Sequence, residues 1–389
     1  MRVAVLGAGG TIAPAIVRDL AGSDEVTALR LLDLDLRRAE EVAIEHGGPK
    51  AQARAVDANR DLAADLDGIE VLVNSAAYRV NLAAMEACLE AGCHYMDLGG
   101  LYHVTARQLE LGPRFEQRGL LALLGIGSAP GKTNLLAARA RREIPGPVDS
   151  IMVAAAGRDL DPPDGMCFPY ALRTLLDEIT LAPMALIDGR PIELEPLQAG
   201  PTVDFGDPIG EASTIYTLHS EVLTFGDGFD AANVTFALSL SPAVLDSIRE
   251  LAGADEERIA AAAAAAQPPS PRTVSVHVVE LAAGGTVVRG RSFTPPHERW
   301  GLGGGIVSTA SPAAAAVRLL AAGRIGATGA HPPEACIDPD EMFGELEARG
   351  VRFEFEQVAR DSARSVRGIP ERSSLQRAAP GSEAEEAAF

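Results

Sequence analysis

The spacing of apolar and polar positions over the first 134 residues predicts a doubly wound α/β domain. An apolar run at residues 3–6 enters a glycine-rich turn, and a helix follows whose apolar face includes Ile16 and Leu20. The same rhythm continues with predicted strands at 26–32, 51–56, 68–74, 94–98 and 120–124, and predicted helices at 36–45, 81–90 and 104–118. Alternating strands and helices indicate a Rossmann-type parallel sheet.

The turn after the first strand has the glycine pattern of a dinucleotide site. Gly7 permits the sharp turn, Gly9 lets a pyrophosphate approach the backbone, and Gly10 completes the loop before the helix. Free N–H groups at the start of a helix favour an anion, so Thr11 and Ile12 belong to the predicted cofactor site. Ile12 departs from the pattern, which has a small residue at that position.

Acidic residues at the ends of the second and third strands extend this site. Asp33 is placed to accept hydrogen bonds from the adenosine ribose, and its charge would repel a 2′-phosphate. NAD is therefore the expected cofactor, with NADP possible because Arg37 and Arg38 are close in sequence. Asp57 either contacts the adenine or caps a helix beginning near Asp61.

Ligands in open α/β sheets bind at the carboxyl ends of the strands. The predicted cofactor contacts at the ends of the fourth and fifth strands are Asn74, Ser75, Ala76 and Gly99. Asp97 is either a catalytic carboxylate or the cap of the next turn. Tyr78 either reaches the nicotinamide or packs against the following helix.

A change of pattern at about residue 148 predicts a second domain. Strand-like segments at 150–156, 235–240, 273–281 and 286–293 replace the strand–helix alternation, and the last two form a predicted hairpin. We expect an α+β domain with a mixed or antiparallel sheet over 135–308, after the dinucleotide domain at 1–134. Residues 309–359, with a helix at 312–322, are expected to return to the first domain. Residues 360–389 are too poor in large apolar side chains to fold and are expected to be disordered.

Charge and composition narrow the class of protein. With 34 Lys and Arg against 54 Asp and Glu, the net charge of −20 disfavours nucleic acid and anionic membranes as partners. The four cysteines lack metal-ligand spacing, so we expect no metal and reduced thiols in a cytoplasmic protein. No apolar run approaches the roughly 20 residues of a membrane span. A homodimer or larger homo-oligomer is expected because such assemblies are common.

Two further groups of polar residues are candidates for amino-acid chemistry. In TLHSEV, Glu221 could hold a substrate ammonium and His219 could move its proton; the alternative is a helix cap at a domain surface. Lys132 and Asn134 follow the sixth strand, where they could bind a substrate carboxylate, and Lys132 is also a candidate catalytic residue. The alternative is that Lys132 is a solvated lysine and Asn134 is a helix cap. The substrate is expected in a cleft between the two domains.

Several of these motifs together resemble the saccharopine dehydrogenase family, and most closely its L-lysine 6-dehydrogenase branch. They are GAGG at 7–10, VNSAAY at 73–78, AGCHYMDLGG at 91–100, GIGSAPGKTN at 125–134 and TLHSEV at 217–222. The resemblance implies a nicotinamide-dependent oxidoreductase acting on a C–N bond of an amino acid, with Tyr170 and Arg173 among its substrate-binding residues. It points first to oxidative deamination of the lysine ε-amine, giving a semialdehyde that cyclises. The alternatives are an imine reductase of the saccharopine or carboxynorspermidine type, or a dinucleotide-binding regulator without turnover.

Overall fold

The computed structural model describes residues 1–60, 62–144 and 146–358. These residues form two compact units. The first comprises Met1–Leu135 and Ser308–Leu346, and the second comprises Leu136–Val307 together with residues 347–358. The predicted tail at 360–389 lies outside the described residues, so its disorder stays a prediction.

Strands and helices alternate from the start of the first unit, as the sequence pattern predicts. The strands are β1 (Arg2–Leu6), β2 (Ala28–Asp33), β3 (Ala51–Ala55), β4 (Val71–Asn74), β5 (His94–Asp97) and β6 (Leu121–Leu123). The helices are α1 (Ala13–Ala21), α2 (Leu36–Val42), α3 (Leu62–Asp65), α4 (Asn81–Ala91), α5 (Tyr102–Glu110), α6 (Gly112–Gln117) and α7 (Lys132–Arg141). The single helix predicted over 104–118 is two helices, because Pro113 cannot continue α5 and lies instead in the first turn of α6.

The middle of the chain is richer in strands. These are β7 (Val148–Asp159), β8 (Met184–Ile187), β9 (Arg190–Glu193), β10 (Val203–Asp204), β11 (Glu211–Ala212), β12 (Ile215–Tyr216), β13 (Ala231–Ser239), β14 (Thr273–Ala283) and β15 (Thr286–Thr294). The accompanying helices are α8 (Leu172–Thr180), α9 (Glu221–Phe229), α10 (Pro242–Leu251) and α11 (Glu256–Ala265).

The last part of the chain contributes to both units. It forms α12 (Gly304–Ala321), β16 (Gly329–His331), α13 (Pro333–Cys336), α14 (Pro339–Glu347) and β17 (Arg352–Val358). Because β17 pairs with β15, the return to the first unit ends at Leu346 and is shorter than the predicted 309–359. α12 begins eight residues before the predicted helix. Its length and apolar composition would suffice to cross a membrane, but 72% of it is buried within the chain, as in a core helix.

A seven-stranded sheet organises the first unit, in the order β16-β6-β5-β4-β1-β2-β3. Every pairing in it is parallel, which confirms the predicted Rossmann-type sheet. All four residues of β4 are buried, since helices cover both faces of such a sheet. The register aligns Leu6, Asn74 and Asp97, so the loops that follow β1, β4 and β5 share one edge of the sheet.

An eight-stranded mixed sheet organises the second unit. Its order is β17-β15-β14-β7-β13-β8-β9, with β12 also paired to β13. β7 and β13 are parallel and the other pairings are antiparallel, so the predicted mixed sheet is confirmed. The predicted hairpin is β14 and β15. Gly284 and Gly285 form its turn, and both have positive φ.

Candidate functional site

The glycine-rich turn leaves no room for side chains at two positions. Gly7 has a φ of +73°, and a Cβ there would lie 2.7 Å from the backbone of Ala76. A Cβ at Gly9 would lie 2.7 Å from the Cβ of Arg38 and 3.3 Å from Oδ2 of Asp33. The turn is therefore bare backbone at the carboxyl end of β1, which is the arrangement a pyrophosphate needs.

Asp33 is fixed beside this turn by two backbone amides. Its Oδ2 accepts a hydrogen bond from the Gly9 N–H at 2.8 Å, and its Oδ1 accepts one from Asp35 at 2.9 Å. Arg37 and Arg38 are 3.8 and 3.7 Å from the Asp35 carboxylate. The carboxylate at the end of β2 thus lies where a ribose diol would bind, and both nearby arginines lie close to the Asp35 carboxylate.

The start of α1 completes the dinucleotide-binding geometry. Ile12 is the N-cap residue, and none of the described side chains caps the helix. Thr11 lies in the turn just before it. Pro14 lies in the first helical turn, where its missing N–H removes no intrahelical hydrogen bond. The residues present fit a bound dinucleotide: a bare glycine turn, an uncapped helix start and a carboxylate at the end of β2.

Asn74 and Ser75 lie at the same edge of the sheet. The Asn74 amide donates to Asn81 at 2.9 Å and to the Tyr95 hydroxyl at 3.2 Å, while its oxygen accepts from the Ala76 N–H at 3.0 Å. The Ser75 hydroxyl is buried and has no hydrogen-bond partner among the described residues. An unsatisfied hydroxyl beside Gly7 and Ala76 is consistent with the predicted cofactor contact there.

Asp97 is saturated with hydrogen-bond donors. Its Oδ1 accepts from the N–H groups of Gly99 at 2.9 Å and Gly125 at 2.7 Å, and its Oδ2 accepts from Gln108 at 2.6 Å and Asn81 at 3.2 Å. Burial raises the pKa of Asp97, and these hydrogen bonds only partly oppose the shift. The geometry favours the capping alternative over a catalytic carboxylate. Gly99 keeps a φ of +136° and packs on Pro130.

Two other candidates in the first unit have local partners. Asp57 accepts from the Asn59 N–H at 3.0 Å and pairs with Arg60 at 3.4 Å. It therefore holds a turn, and its predicted role as a helix cap is wrong because α3 begins only at Leu62. The adenine contact stays a prediction. Tyr78 is buried, with the Arg79 guanidinium 5.4 Å from its ring centre, which favours the packing alternative.

Lys132 and Asn134 lie at the start of α7 and are both buried. The Lys132 ammonium donates to the Ser308 hydroxyl at 2.5 Å, and burial lowers the pKa of Lys132 to about 7. The alternative of a solvated lysine is thus wrong. Asn134 accepts from the Gly131 N–H at 2.7 Å and donates to Glu334 at 2.7 Å, so it shapes the loop before α7.

His219 and Glu221 do converge, in the second unit. His219 precedes α9 and Glu221 is the first residue of that helix, which puts its Oε2 3.5 Å from His219 Nδ1. A backbone hydrogen bond from Leu218 to the Glu178 carbonyl brings a second carboxylate to the ring, 3.8 Å from its Nε2. We call His219, Glu178, Glu221 and Tyr170 the histidine cluster.

The histidine cluster is buried on an apolar support. The His219 ring stacks on Phe236, with ring centres 3.6 Å apart and an interplanar angle of 9°. His219 is 6% exposed and Glu221 is fully buried. Among the described residues, His219 Nε2 has no hydrogen-bond partner. Burying a polar atom without a hydrogen-bond partner destabilises the folded protein, and such atoms are commonly found at functional sites.

Opposing effects set the protonation of the histidine cluster. Burial lowers the pKa of His219, but the contact with Glu221 and the charge of Glu178 outweigh burial, and the net pKa is raised. Burial raises the pKa of Glu178, while His219 and the hydrogen bond from the Tyr170 hydroxyl oppose it. The pKa values of His219 and Glu178 are therefore both raised, so each group keeps its proton to a higher pH than it would in water.

The two substrate-binding residues implied by the resemblance have different surroundings. The Tyr170 hydroxyl donates to Glu178 and so belongs to the histidine cluster. Arg173 is on the same helix as Glu178, but its guanidinium lies 3.1 Å from Asp177 and 2.6 Å from Glu256. The Arg173 guanidinium is therefore ion-paired with two carboxylates of the second unit.

Sequence reasoning missed partners at both buried groups. Glu178 lies between the apolar residues Leu175 and Ile179 of α8, and an acid beside that apolar face was a usable signal. Ser308 is a small polar residue in an apolar helix, and Gln108 resembles an ordinary surface glutamine. Their roles follow only from tertiary contacts.

The dinucleotide-binding domain matches a known family. Residues 3–123 match the family model of the saccharopine dehydrogenase NADP binding domain. This confirms the family resemblance for that domain, and its cofactor is a nicotinamide dinucleotide, NAD or NADP. The lysine 6-dehydrogenase branch and the preference for NAD stay predictions.

Two proteins show how far the likeness extends. A carboxyaminopropylagmatine dehydrogenase from Synechocystis sp. is 30% identical over 150 residues, which span 36% of this chain and only 37% of that relative. The structure of apo saccharopine dehydrogenase (L-Glu forming) from Saccharomyces cerevisiae aligns with a TM-score of 0.68 at 18% identity, covering 92% of this chain and all of that one. At that identity the second likeness shows the fold, in which a dinucleotide-binding domain is combined with a mixed-sheet domain.

Proposed function

We propose that this chain is a nicotinamide-dependent oxidoreductase that acts on a C–N bond of an amino acid. The observation that carries the proposal is the bare glycine turn with Asp33 held against Gly9, in a domain that matches a dinucleotide-binding family. When bound, the cofactor supplies the hydride chemistry. The residues of the chain must then bind and orient the amine, exclude water and hold or move a proton.

The histidine cluster supports an amine as the reacting group. An amine releases hydride only when it is unprotonated, so its site must take up a proton. Glu178 and Glu221 provide negative charge that attracts a substrate ammonium, and the His219 ring lies within 4 Å of both carboxyl groups. Stacking on Phe236 keeps the imidazole in one orientation.

The specific reaction we propose is oxidative deamination of the lysine ε-amine. The TLHSEV motif resembles the lysine 6-dehydrogenase branch, and it supplies His219 and Glu221 to the histidine cluster. Arg173 is already ion-paired with Asp177 and Glu256, which suits a small substrate better than one with an additional carboxylate arm.

The second candidate is reduction of an imine that joins an amino acid to another molecule. The names of the two relatives, carboxyaminopropylagmatine dehydrogenase and saccharopine dehydrogenase (L-Glu forming), favour this alternative. The hydride step is the same in both reactions, and the difference lies in what the site accommodates.

Formation or consumption of reduced nicotinamide by the full chain separates these possibilities. NAD and NADP are supplied in parallel with L-lysine, L-ornithine, other diamines and saccharopine at mildly alkaline pH, and then with aldehyde and amine pairs in the reductive direction. Oxidation of lysine supports deamination, whereas turnover of only the conjugates supports the imine reductase. If the cofactor binds but nothing turns over in either direction, the oxidoreductase proposal is overturned in favour of a dinucleotide-binding regulator.

A further inference from the structure

The loop after β6 brings a buried lysine and two serines into one chain of hydrogen bonds. The Lys132 ammonium donates to the Ser308 hydroxyl at 2.5 Å, and the Ser308 hydroxyl lies 2.6 Å from that of Ser128. Lys132 is fully buried and Ser308 is 1% exposed, whereas Ser128 is partly exposed. The three groups therefore connect a buried nitrogen to a hydroxyl that a ligand can reach.

Hydrogen bonds within its own backbone close the loop that carries Ser128 and Lys132. The Gly127 N–H donates to the Pro130 carbonyl and the Lys132 N–H donates to the Gly127 carbonyl, both at 3.0 Å. A Cβ at Gly131 would lie 2.3 Å from the Gly127 oxygen, so only glycine fits where the loop crosses itself. Asp97 fixes the start of the loop through the Gly125 N–H. Ser128 is thus presented by a closed loop of defined geometry.

The location of the loop connects it with the cofactor. It follows β6, and β6 is parallel to β5, β4 and β1, whose carboxyl ends share the edge that carries the glycine turn. Ligands of such sheets bind along this edge. Ser128 therefore lies on the edge of the first unit where a dinucleotide binds.

We propose that Ser128, Ser308 and Lys132 form a proton relay that takes the proton released from the substrate amine. The proposal rests on the proposed function. The substrate N–H bond breaks as its proton passes to Ser128 Oγ, the Ser128 proton passes to Ser308 Oγ, and the Ser308 proton forms a new N–H bond on neutral Lys132. The amine so freed loses hydride to the nicotinamide, which is the oxidant and leaves an iminium. Ser128 is then a catalytic residue, while Ser308 and Lys132 act through it.

The electrostatic surroundings suit Lys132 as the end of the relay. Burial lowers the pKa of Lys132 to about 7, so the neutral amine needed as acceptor is populated under mild conditions. Of the acidic residues near the loop, Asp97 accepts four hydrogen bonds and Glu334 accepts one from Asn134.

Substitution along the relay, with a matched serine as control, tests this proposal. Ser308→Ala interrupts the relay and is expected to lower kcat by roughly 100-fold, the usual scale of a lost acid–base path. Ser308→Thr keeps the hydroxyl and is expected to restore most of the activity. Ser311→Ala is the control, because Ser311 is buried one turn further along α12 and its hydroxyl has no hydrogen-bond partner among the described residues.

The pH dependence identifies the terminal acceptor. In the wild type, kcat is expected to rise with pH through a value near 7, and Lys132→Met is expected to remove that rise. A second measurement needs no activity. Because the folded pKa is lowered from 10.5, the unfolded chain binds more protons between about pH 7 and 10.5, and stability relative to Lys132→Met should increase with pH across that window.

Each outcome decides between the two proposals. If Ser308→Ala leaves turnover at the wild-type level, the relay proposal is overturned and the oxidoreductase proposal remains. Equal losses for Ser308→Ala and Ser311→Ala show a packing effect and also overturn the relay. If the wild type turns over no substrate, the oxidoreductase itself fails and the relay fails with it, even where the stability measurement finds the lowered lysine pKa.

Discussion

Each unit of the molecule contains a buried cluster of polar side chains, and the two clusters differ in how fully they are hydrogen-bonded. In the first unit, Asp97 accepts from two backbone amides and from Gln108 and Asn81. In the histidine cluster of the second unit, the Glu178 carboxyl group lies 3.8 Å from His219 Nε2, and that nitrogen has no hydrogen-bond partner among the described residues.

Burial raises the pKa of Asp97 and of Glu178 alike, so the direction of the shift does not distinguish their roles. The two sites differ in whether a polar atom is left without a hydrogen-bond partner and can still bind a ligand. A carboxylate with four donors is held in place, and moving it would leave those donors unsatisfied. An imidazole with an unsatisfied nitrogen can still bind or exchange a proton. We therefore infer that Asp97 stabilises the fold and that the histidine cluster handles the substrate.

The largest effect is expected from Asp97→Ala. Removing the carboxylate leaves buried N–H groups without an acceptor and should lower the free energy of unfolding by about 1–3 kcal/mol for each donor left unsatisfied. Denaturant unfolding measures this, and Asp24→Ala on the surface is the matched control. If Asp97→Ala has normal stability but selectively loses turnover, Asp97 is a catalytic residue and the inferred structural role is wrong.

Glu221→Gln should affect turnover rather than stability. The amide keeps the shape of the side chain but loses the charge next to His219, so we expect turnover to fall by about 100-fold with little change in cofactor affinity. Steady-state kinetics and a binding titration with NAD measure the two effects. Glu193→Gln, an exposed position in the same unit, is the control, and unchanged turnover in Glu221→Gln would remove that residue from the site.

A smaller effect is expected from Tyr170→Phe. Its hydroxyl donates to Glu178 and helps to hold down the pKa of that carboxyl group, so its loss should raise the Glu178 pKa further. If the ionised Glu178 is the active form, the acid limb of the pH–rate profile moves to higher pH. A profile identical to that of the wild type would mean that Glu178 does not titrate in the reaction.

Arg173→Gln should have the smallest effect. Its ion pair with Asp177 and Glu256 is partly exposed, and such pairs contribute less than about 1 kcal/mol. We expect nearly unchanged stability and substrate KM. A KM raised tenfold or more would instead assign Arg173 to the substrate carboxylate, as the family resemblance implies.

The sequence predicted those parts of the fold that local patterns determine. The glycine turn, the strand–helix alternation and the hairpin at Gly284–Gly285 each depend on neighbouring residues. The start of α12 was missed because Gly304 and Gly305 have low helix propensity, and burial of the helix outweighs it.

The sites were predicted less completely because their contacts join distant residues. His219 and Glu221 are two residues apart and could be paired from sequence, but Glu178 reaches them through the packing of α8. Lys132 and Ser308 are 176 positions apart, and nothing local relates them. Burial of Lys132 likewise depends on the return of the chain to the first unit.

The order of strands in the first sheet also bears on how the protein is synthesised. β16 pairs with β6, yet it follows β6 by about 200 residues, which at roughly 5–20 residues per second means about 10–40 s on the ribosome. During that interval the outer edge of β6 has unpaired backbone groups, the kind of edge that recruits other strands. A nascent chain halted before β16 would therefore be prone to aggregation, although most of the first unit has by then been translated.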